Sequence, residues 1–322
     1  MKKILVPPLS DMPDWQTYHG PWERPDIEVV FAPDNFWQLP DTDRIRHLRG
    51  IHAVIAGAEP YNETIFQACP DLKIVARAGV GYDSVDVIAA ARHGVWATNM
   101  PGALDHSVAE STWLLILALA RKLETHLHVM RTGGFQWHLG TEMFEKTLGI
   151  IGTGRIGKRV AEIGRAFGMK LLGYDVREDK SFAASVGLRY VSLRQLLAES
   201  DVVTIHTPRL PETMGLVNAE KIGWMKPTAF LINTARGGIV DETALVAALR
   251  EGKLAGAALD VFAQEPLPAN DPLRQLPNVV LTPHVAAAAT ETSRRIYLQA
   301  LGNIVAVLDG KRPPNPVNEV KL

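Results

Sequence analysis

The run Gly152-Thr153-Gly154-Arg155-Ile156-Gly157 has the glycine spacing that cradles a pyrophosphate. It follows the apolar stretch Leu148-Gly149-Ile150-Ile151 and opens an amphipathic segment at Ile156. Gly152 would permit a tight turn after a strand, Gly154 a close approach of backbone to phosphate, and Gly157 close packing of helix on strand. The free N–H groups at the helix start would face the anion. The next apolar run, Lys170–Tyr174, ends at Asp175, eighteen residues beyond Gly157. An acid about 20 residues past such a loop is placed to accept both hydroxyls of an adenosine ribose, which favours NAD over NADP. Arg177 pulls the other way, toward a 2′-phosphate. The glycine pattern alone is common; the order strand, turn, helix, strand, acid gives it weight. Gly152 to Lys158 also fits G-x-x-x-x-G-K, but Arg159 stands where a P-loop needs Ser or Thr for magnesium. Nucleotide hydrolysis is therefore not expected.

A second set of residues follows three later apolar runs: Asn233-Thr234-Ala235-Arg236-Gly237-Gly238, Leu259-Asp260-Val261-Phe262-Ala263-Gln264-Glu265-Pro266 and Leu281-Thr282-Pro283-His284. Open α/β sheets bind ligands beyond the carboxyl ends of their strands, so Arg236, Glu265 and His284 are expected to converge. Reduction of a keto acid needs these types. A guanidinium binds the carboxylate and polarises the carbonyl. An imidazole delivers the proton to the new hydroxyl, and a carboxylate orients that imidazole. Singly, each has a bland reading as a solvated histidine, a surface arginine or a loop acid. Their place at successive strand ends after a dinucleotide motif reverses that weighting. The remaining histidines carry less: His126 and His128 are two apart on an expected helix and do not share a face. No H-E-x-x-H, Cys/His ligand spacing or G-x-S-x-G elbow occurs, so no metal is expected and an α/β-hydrolase is disfavoured.

These loops need an α/β framework. Strands are expected at Lys3–Val6, Glu28–Phe31, Ala53–Ala56, Lys73–Ala76 and Val95–Thr98, then at Thr147–Ile151, Lys170–Tyr174, Val202–His206, Ala229–Asn233, Gly256–Asp260 and Val279–Thr282. The runs are nearly continuous rather than alternating, as in parallel sheets covered on both faces. Helices are expected at Ile156–Phe167, Thr243–Glu251 and Thr292–Leu308. A long helical stretch should run from Ala103 to about Met130. Two α/β units follow, one from residue 1 to about 100 and the other to about 285. A last helix, from about Ala286 to Leu308, should return to the first unit. Pro313-Pro314-Asn315-Pro316 reads as an extended tail.

The chain has 322 residues, 47% hydrophobic and 21% charged, with 34 Lys+Arg against 35 Asp+Glu. That balance excludes a strongly basic nucleic-acid binder. The single cysteine, Cys69, forbids an intrachain disulfide and points to a reducing, cytoplasmic compartment and a buried apolar role. Two lysines, three apolar residues and then Pro7-Pro8 make a first strand rather than a signal peptide. The longest apolar run, Trp113 to Ala120, falls far short of the ~20 residues needed to span a bilayer, so no membrane association is expected.

Taken together, the motifs resemble those of the D-isomer-specific 2-hydroxyacid dehydrogenases, most of all the phosphoglycerate dehydrogenases. The likeness covers nearly the whole chain. It is carried by Arg77-Ala78-Gly79-Val80-Gly81-Tyr82-Asp83-Ser84-Val85-Asp86, the Gly152–Gly157 loop with Asp175, and His206-Thr207-Pro208-Arg209-Leu210-Pro211-Glu212-Thr213. It continues through Asn233–Asp241, Gly256–Pro266 and Thr282–Thr290. The resemblance implies two Rossmann-like domains: a flavodoxin-like substrate domain (1–100 with 286–322) and, inserted in it, a doubly wound NAD-binding domain (101–285). It implies Arg236, Glu265 and His284 as the catalytic set. It also implies Gly152, Gly154, Arg155, Ile156, Gly157, Asp175, Thr207, Pro208, Thr213, Thr234, Ala235, Arg236, Asp260 and His284 around the NAD. Val80 and Gly81 would hold the substrate carboxylate through backbone amides, with Arg236 and His284 also on the substrate, and Ala56 would face its side chain. A homodimer through the cofactor domain is implied.

Two departures bear on the substrate. The stretch Ile55-Ala56-Gly57-Ala58-Glu59-Pro60 has no Lys or Arg where phosphoglycerate dehydrogenases often place a cation for the phosphate. The sequence also has no stretch matching the serine-sensing domain of the long forms, so feedback through one is not expected. Gln replaces Glu265 in the related formate dehydrogenases, which disfavours formate. The expected reaction is NAD-dependent interconversion of 3-phosphoglycerate and 3-phosphohydroxypyruvate. The alternatives are a hydroxypyruvate or glyoxylate reductase and, in another class, an NAD-sensing corepressor-like binding protein.

Overall fold

Twelve short apolar runs form strands in the computed structural model, which describes residues 1–8 and 23–320. The chain begins with β1 (Lys2–Val6), β2 (Ile27–Phe31), α1 (Asp41–Leu48), β3 (Ala53–Ala56), α2 (Glu63–Ala68), β4 (Ile74–Arg77), α3 (Val87–Arg92) and β5 (Trp96–Thr98). It continues through α4 (Asp105–Ala120), α5 (Leu123–Arg131), β6 (Thr147–Ile151), α6 (Arg155–Ala166), β7 (Lys170–Tyr174), α7 (Lys180–Val186), β8 (Leu188–Tyr190) and α8 (Leu193–Glu199). The last elements are β9 (Val202–Ile205), α9 (Ala219–Ile222), β10 (Phe230–Asn233), α10 (Glu242–Arg250), β11 (Gly256–Leu259), β12 (Val279–Leu281) and α11 (Thr290–Leu308). Two compact units result, Met1–Leu104 with Ala289–Leu322, and Asp105–Ala288.

The first unit holds a five-stranded sheet ordered β2-β1-β3-β4-β5, with every pair parallel. This is the flavodoxin-like order. Its central strands are buried on both faces, which is why β3 reads Ala-Val-Ile-Ala without a polar break. Side-chain caps start α2 and α3: Asn62 Oδ1 accepts from Ile65 N at 3.2 Å and Asp86 Oδ1 from Ala89 N at 2.9 Å. The last helix, α11, packs on β3, β4 and β5. The proline-rich tail does more than trail: Val317 N donates to Ala97 O at 2.9 Å, extending the β5 edge.

The second unit holds a seven-stranded parallel sheet ordered β12-β11-β10-β9-β6-β7-β8. The first six strands in sequence stand in the dinucleotide-binding order, with β12 added at one edge. Strand β8 has no counterpart in the sequence reading. Three residues with Arg189 in the middle carry no periodic signal. Helix α4 packs on α6, β10, β11 and β12 and is buried at Trp113, Ile116 and Leu119, so it reads as apolar nearly all round. The Trp113 ring stacks on Phe167 at 4.7 Å.

Two helix expectations need correction. The stretch from Ala103 to Met130 is two helices, broken where Lys122 takes a left-handed φ of 51°. The cause lies later in the chain: Thr141 N donates to Ala120 O at 2.8 Å, and Gly140 packs against that carbonyl. The last helix starts at Thr290 rather than near Ala286, because the backbone is still extended at Ala289, with φ −131° and ψ 143°. Among the described residues, no helix is long and apolar enough to cross a membrane.

Candidate active site

The phosphate loop is shaped by contacts that leave no room for side chains. Gly152 has φ 91°, and a Cβ there would lie 2.7 Å from the His206 carbonyl. A Cβ on Gly157 would lie 2.1 Å from Gly152 O. Gly154 differs: nothing stands within 4 Å of the place its Cβ would take. Its side is open, and α6 starts there with no side-chain cap. Uncapped helix N–H groups facing open space suit an anion. Arg155 is the first residue of α6, and Ile156 beside it is half-buried.

Asp175 closes the loop at the end of β7. Its Oδ2 accepts from Thr153 N at 2.6 Å and from Thr153 Oγ1 at 3.1 Å, while Oδ1 accepts from Arg177 N at 2.9 Å. A carboxylate has about four acceptor positions, so one direction stays free. The loop after β9 carries Thr207, whose buried Oγ1 has no hydrogen-bond partner. An orphaned buried hydroxyl beside an anion cradle is what a dinucleotide would satisfy. Thr213 closes that same loop on itself, with Oγ1 donating to Pro208 O at 2.7 Å and accepting from Leu210 N at 2.8 Å. His206 lies just past β9 rather than in it, its Nε2 2.9 Å from Thr204 Oγ1. Burial pushes that imidazole down to about 3, so it stays neutral.

Arg236, Glu265 and His284 come from the turns after β10, β11 and β12. Asn233 shapes the first turn: its Oδ1 accepts from Ala235 N at 3.0 Å and its Nδ2 donates to Arg236 O at 2.9 Å. Gly237 lets the turns pack, since a Cβ there would lie 1.7 Å from Phe262 O. Thr234 points inward, its Oγ1 2.9 Å from Thr112 Oγ1. Glu265 Oε1 accepts from Phe262 N at 2.9 Å, and Oε2 stands 2.7 Å from His284 Nδ1. Burial pushes the Glu265 carboxyl up. The His284 hydrogen bond, the Phe262 N–H and the charges of His284 and Arg236 outweigh this and hold it below the ordinary carboxylate value. The His284 and Glu265 side chains are 38% and 33% exposed, so a substrate can reach the pair.

His284 sits in a left-handed conformation, φ 55°, which a non-glycine residue rarely adopts. Asp260 imposes it. This carboxylate is 1% exposed, and it accepts from Thr282 Oγ1 at 2.6 Å and from Val285 N and Ala286 N at 2.9 Å. His284 N donates to Asp260 O at 2.8 Å. Asp260 thus builds the turn that presents the imidazole.

In the first unit, Val80 and Gly81 lie in the half-buried turn after β4, where Val80 O accepts from Asn99 Nδ2 at 2.8 Å. Ala56 requires correction. It is 0% exposed within the core of β3, so its side chain cannot meet a substrate. The strand's last residue is still covered on both faces, and the first exposed position of the following turn is Ala58. That turn's only ionisable group is Glu59, buried, with Oε1 accepting from Gly57 N and Tyr61 Oη at 3.1 Å. Burial pushes its carboxyl up.

Sequence reasoning missed Asp105. Its Oδ2 accepts from Arg155 Nε at 2.7 Å, joining the start of α4 to the phosphate loop. No motif marks it, because the pairing spans fifty positions.

Residues 113–286 match the family described as D-isomer specific 2-hydroxyacid dehydrogenase, NAD binding domain. Glyoxylate reductase from Aeropyrum pernix is 48% identical over 79% of this chain and 78% of its own length. D-3-phosphoglycerate dehydrogenase from Synechocystis is 42% identical over 82% of this chain but 48% of its own length. The solved structure of D-lactate dehydrogenase from Aquifex aeolicus, complexed with NAD and lactic acid, superposes with a TM-score of 0.86. It is 31% identical, over 99% of this chain and 100% of that one.

Proposed function

Because the chain belongs to the D-isomer specific 2-hydroxyacid dehydrogenase family, we propose that it uses NADH to reduce a small unphosphorylated 2-keto acid, glyoxylate or hydroxypyruvate. The observation that carries the chemistry is the Glu265–His284 pair at 2.7 Å, with Arg236 on the neighbouring turn. Bound NADH supplies the hydride for C2 of the substrate. The N-terminus of α6 and Gly154 receive the pyrophosphate, Thr207 Oγ1 gains a partner, and the free acceptor direction of Asp175 takes the adenosine ribose. Pro208, Thr213, Thr234 and Ala235 shape the turns that line the cofactor.

Arg236 binds the substrate carboxylate and polarises the keto oxygen. Glu265, kept ionised, holds His284 through Nδ1 and leaves Nε2 on the far side of the ring. From Nε2 a proton passes to the developing alkoxide as the C–H bond forms, and the hydroxy acid results. In the first unit, the turn of Val80 and Gly81 is proposed to offer backbone amides to a carboxylate.

The substrate assignment departs from the 3-phosphoglycerate expectation. The turn after β3 offers no cation, and its one charged residue is an acid. The glyoxylate reductase relative also matches over most of its length, whereas the phosphoglycerate dehydrogenase relative does so over about half. That second relative keeps 3-phosphohydroxypyruvate as the competing substrate. The test is kcat/KM with NADH for glyoxylate, hydroxypyruvate and 3-phosphohydroxypyruvate. An unphosphorylated acid should lead by about tenfold or more, the cost of one missing charge-assisted contact to phosphate. A lead for the phosphorylated acid rejects the assignment. No turnover with any of the three would favour an NAD-sensing binding protein.

A further inference from the structure

We infer that Asp105 is a positioning residue for Arg155, holding its guanidinium by the Nε edge so that the Nη groups are presented to the cofactor's pyrophosphate. The inference rests on the proposed dinucleotide reading of the α6 loop and adds a residue to it from α4. Arg155 occupies the first turn of α6, where a helix dipole disfavours a cation. A guanidinium there is steadied by a hydrogen-bond acceptor. Asp105 is that acceptor, with Oδ2 2.7 Å from Nε.

The two ends of this pair differ sharply in surroundings. The Asp105 side chain is 8% exposed and the Arg155 side chain 67%. Asp105 Oδ1 is buried with no hydrogen-bond partner among the described residues, where Arg155 is the one side chain that this carboxylate serves. Asp105 is also in the first turn of α4, where a carboxylate is favoured by the dipole. The acid is thus fixed by its own helix, and the exposed arginine takes its direction from the acid. A guanidinium held through Nε keeps both Nη groups in one plane, aimed away from the carboxylate. That edge has two parallel N–H groups and can bind phosphate oxygens bidentately.

Free Arg155 would have to lose rotamer freedom on each binding event, and Asp105 removes that cost in advance. Asp105→Ala should therefore weaken NADH binding about three- to tenfold. Asp105→Asn keeps an acceptor for Nε and should stay within about twofold of the wild type. Arg155→Ala should weaken binding about 10–100-fold. In an Arg155→Ala background the Asp105→Ala change should cost nothing further, which a purely structural role for Asp105 would not produce.

The experiment is calorimetric or fluorescence titration of the full chain with NADH, without keto acid, for the two single variants, the double variant and Asp105→Asn. It does not depend on which keto acid is the substrate. Asp105→Ala with wild-type affinity, or with the same loss in both backgrounds, overturns the inference. Arg155→Ala with wild-type affinity overturns the reading of the loop itself. If Asp105→Ala does not fold, Asp105→Glu, which displaces the acceptor by one methylene, takes its place against Asp105→Asn. Equal affinity of those two variants rejects the positioning role.

Discussion

At the scale of single residues, the proposed chemistry turns on a carboxylate and an imidazole 2.7 Å apart. Removing the imidazole by His284→Ala should lower kcat by about 10²–10⁴-fold, the usual contribution of a positioned acid/base. NADH affinity should change far less, and a near-native kcat would remove His284 from the mechanism. The Glu265 carboxyl is held below its ordinary value, so the pair it forms is present above the unfolded carboxylate range of about 4.3. It is lost as pH falls through the lower folded value. Wild-type kcat/KM should therefore keep the contribution of Glu265 down to mildly acid pH, and Glu265→Gln should lose it at every pH. Asp175→Ser releases Thr153 N and removes a charge that opposes a 2′-phosphate. It should shift kcat/KM toward NADPH relative to NADH by about tenfold. A wild type that already uses both equally would contradict that role. Arg236, Glu265, His284 and the loop glycines were legible because a residue type followed an apolar run. The burial of Ala56 was not: a strand's last residue and the first residue of its turn look alike until the covering layers are known. Ala56→Arg would place a charge in a closed core, whereas Ala58→Arg adds it at an exposed site.

At the scale of elements, the β6–α6 turn separates what the fold needs from what a ligand needs. Gly157→Ala drives a methyl to 2.1 Å from Gly152 O and should destabilise the protein by about 1–3 kcal/mol as an overpacking change. Gly154→Ala meets nothing within 4 Å and has an ordinary φ of −67°, so thermal stability should hardly move. Its methyl would instead enter the space proposed for the phosphate, and NADH titration should show the loss. Equal melting temperatures for both variants would remove this distinction. The strand ladder itself was readable because buried parallel strands are continuous apolar runs. Other features follow from partners distant in sequence and leave no local trace. Thr141 ends α4 at Ala120, and Asp260 builds the turn before α11 by accepting from two N–H groups. The Asp105–Arg155 pair belongs to the same class.

At the scale of the whole molecule, the second unit exposes apolar side chains that its own core does not use. Helix α5 has no buried residue, yet Leu123, Leu127 and Met130 follow the i, i+4, i+7 spacing of one face. The segment after it adds Phe135, 89% exposed, and Trp137, 79% exposed. Burying a side chain of this size yields about 1.5–3 kcal/mol, so an apolar face left in water signals a partner surface. We propose a second copy of the chain as that partner, in keeping with the dimeric habit implied by the resemblance. In a two-fold dimer each such residue would be buried twice, once in each protomer. Light scattering on the wild type should give twice the chain mass of 35.3 kDa. Leu127→Lys with Trp137→Lys should give monomers, because each protomer would then bring two charges into the contact. Both sites lie outside the cores of the two units, so the monomer should keep its secondary structure. A wild type that is monomeric at micromolar concentration would reject the second copy and leave this face for a different protein.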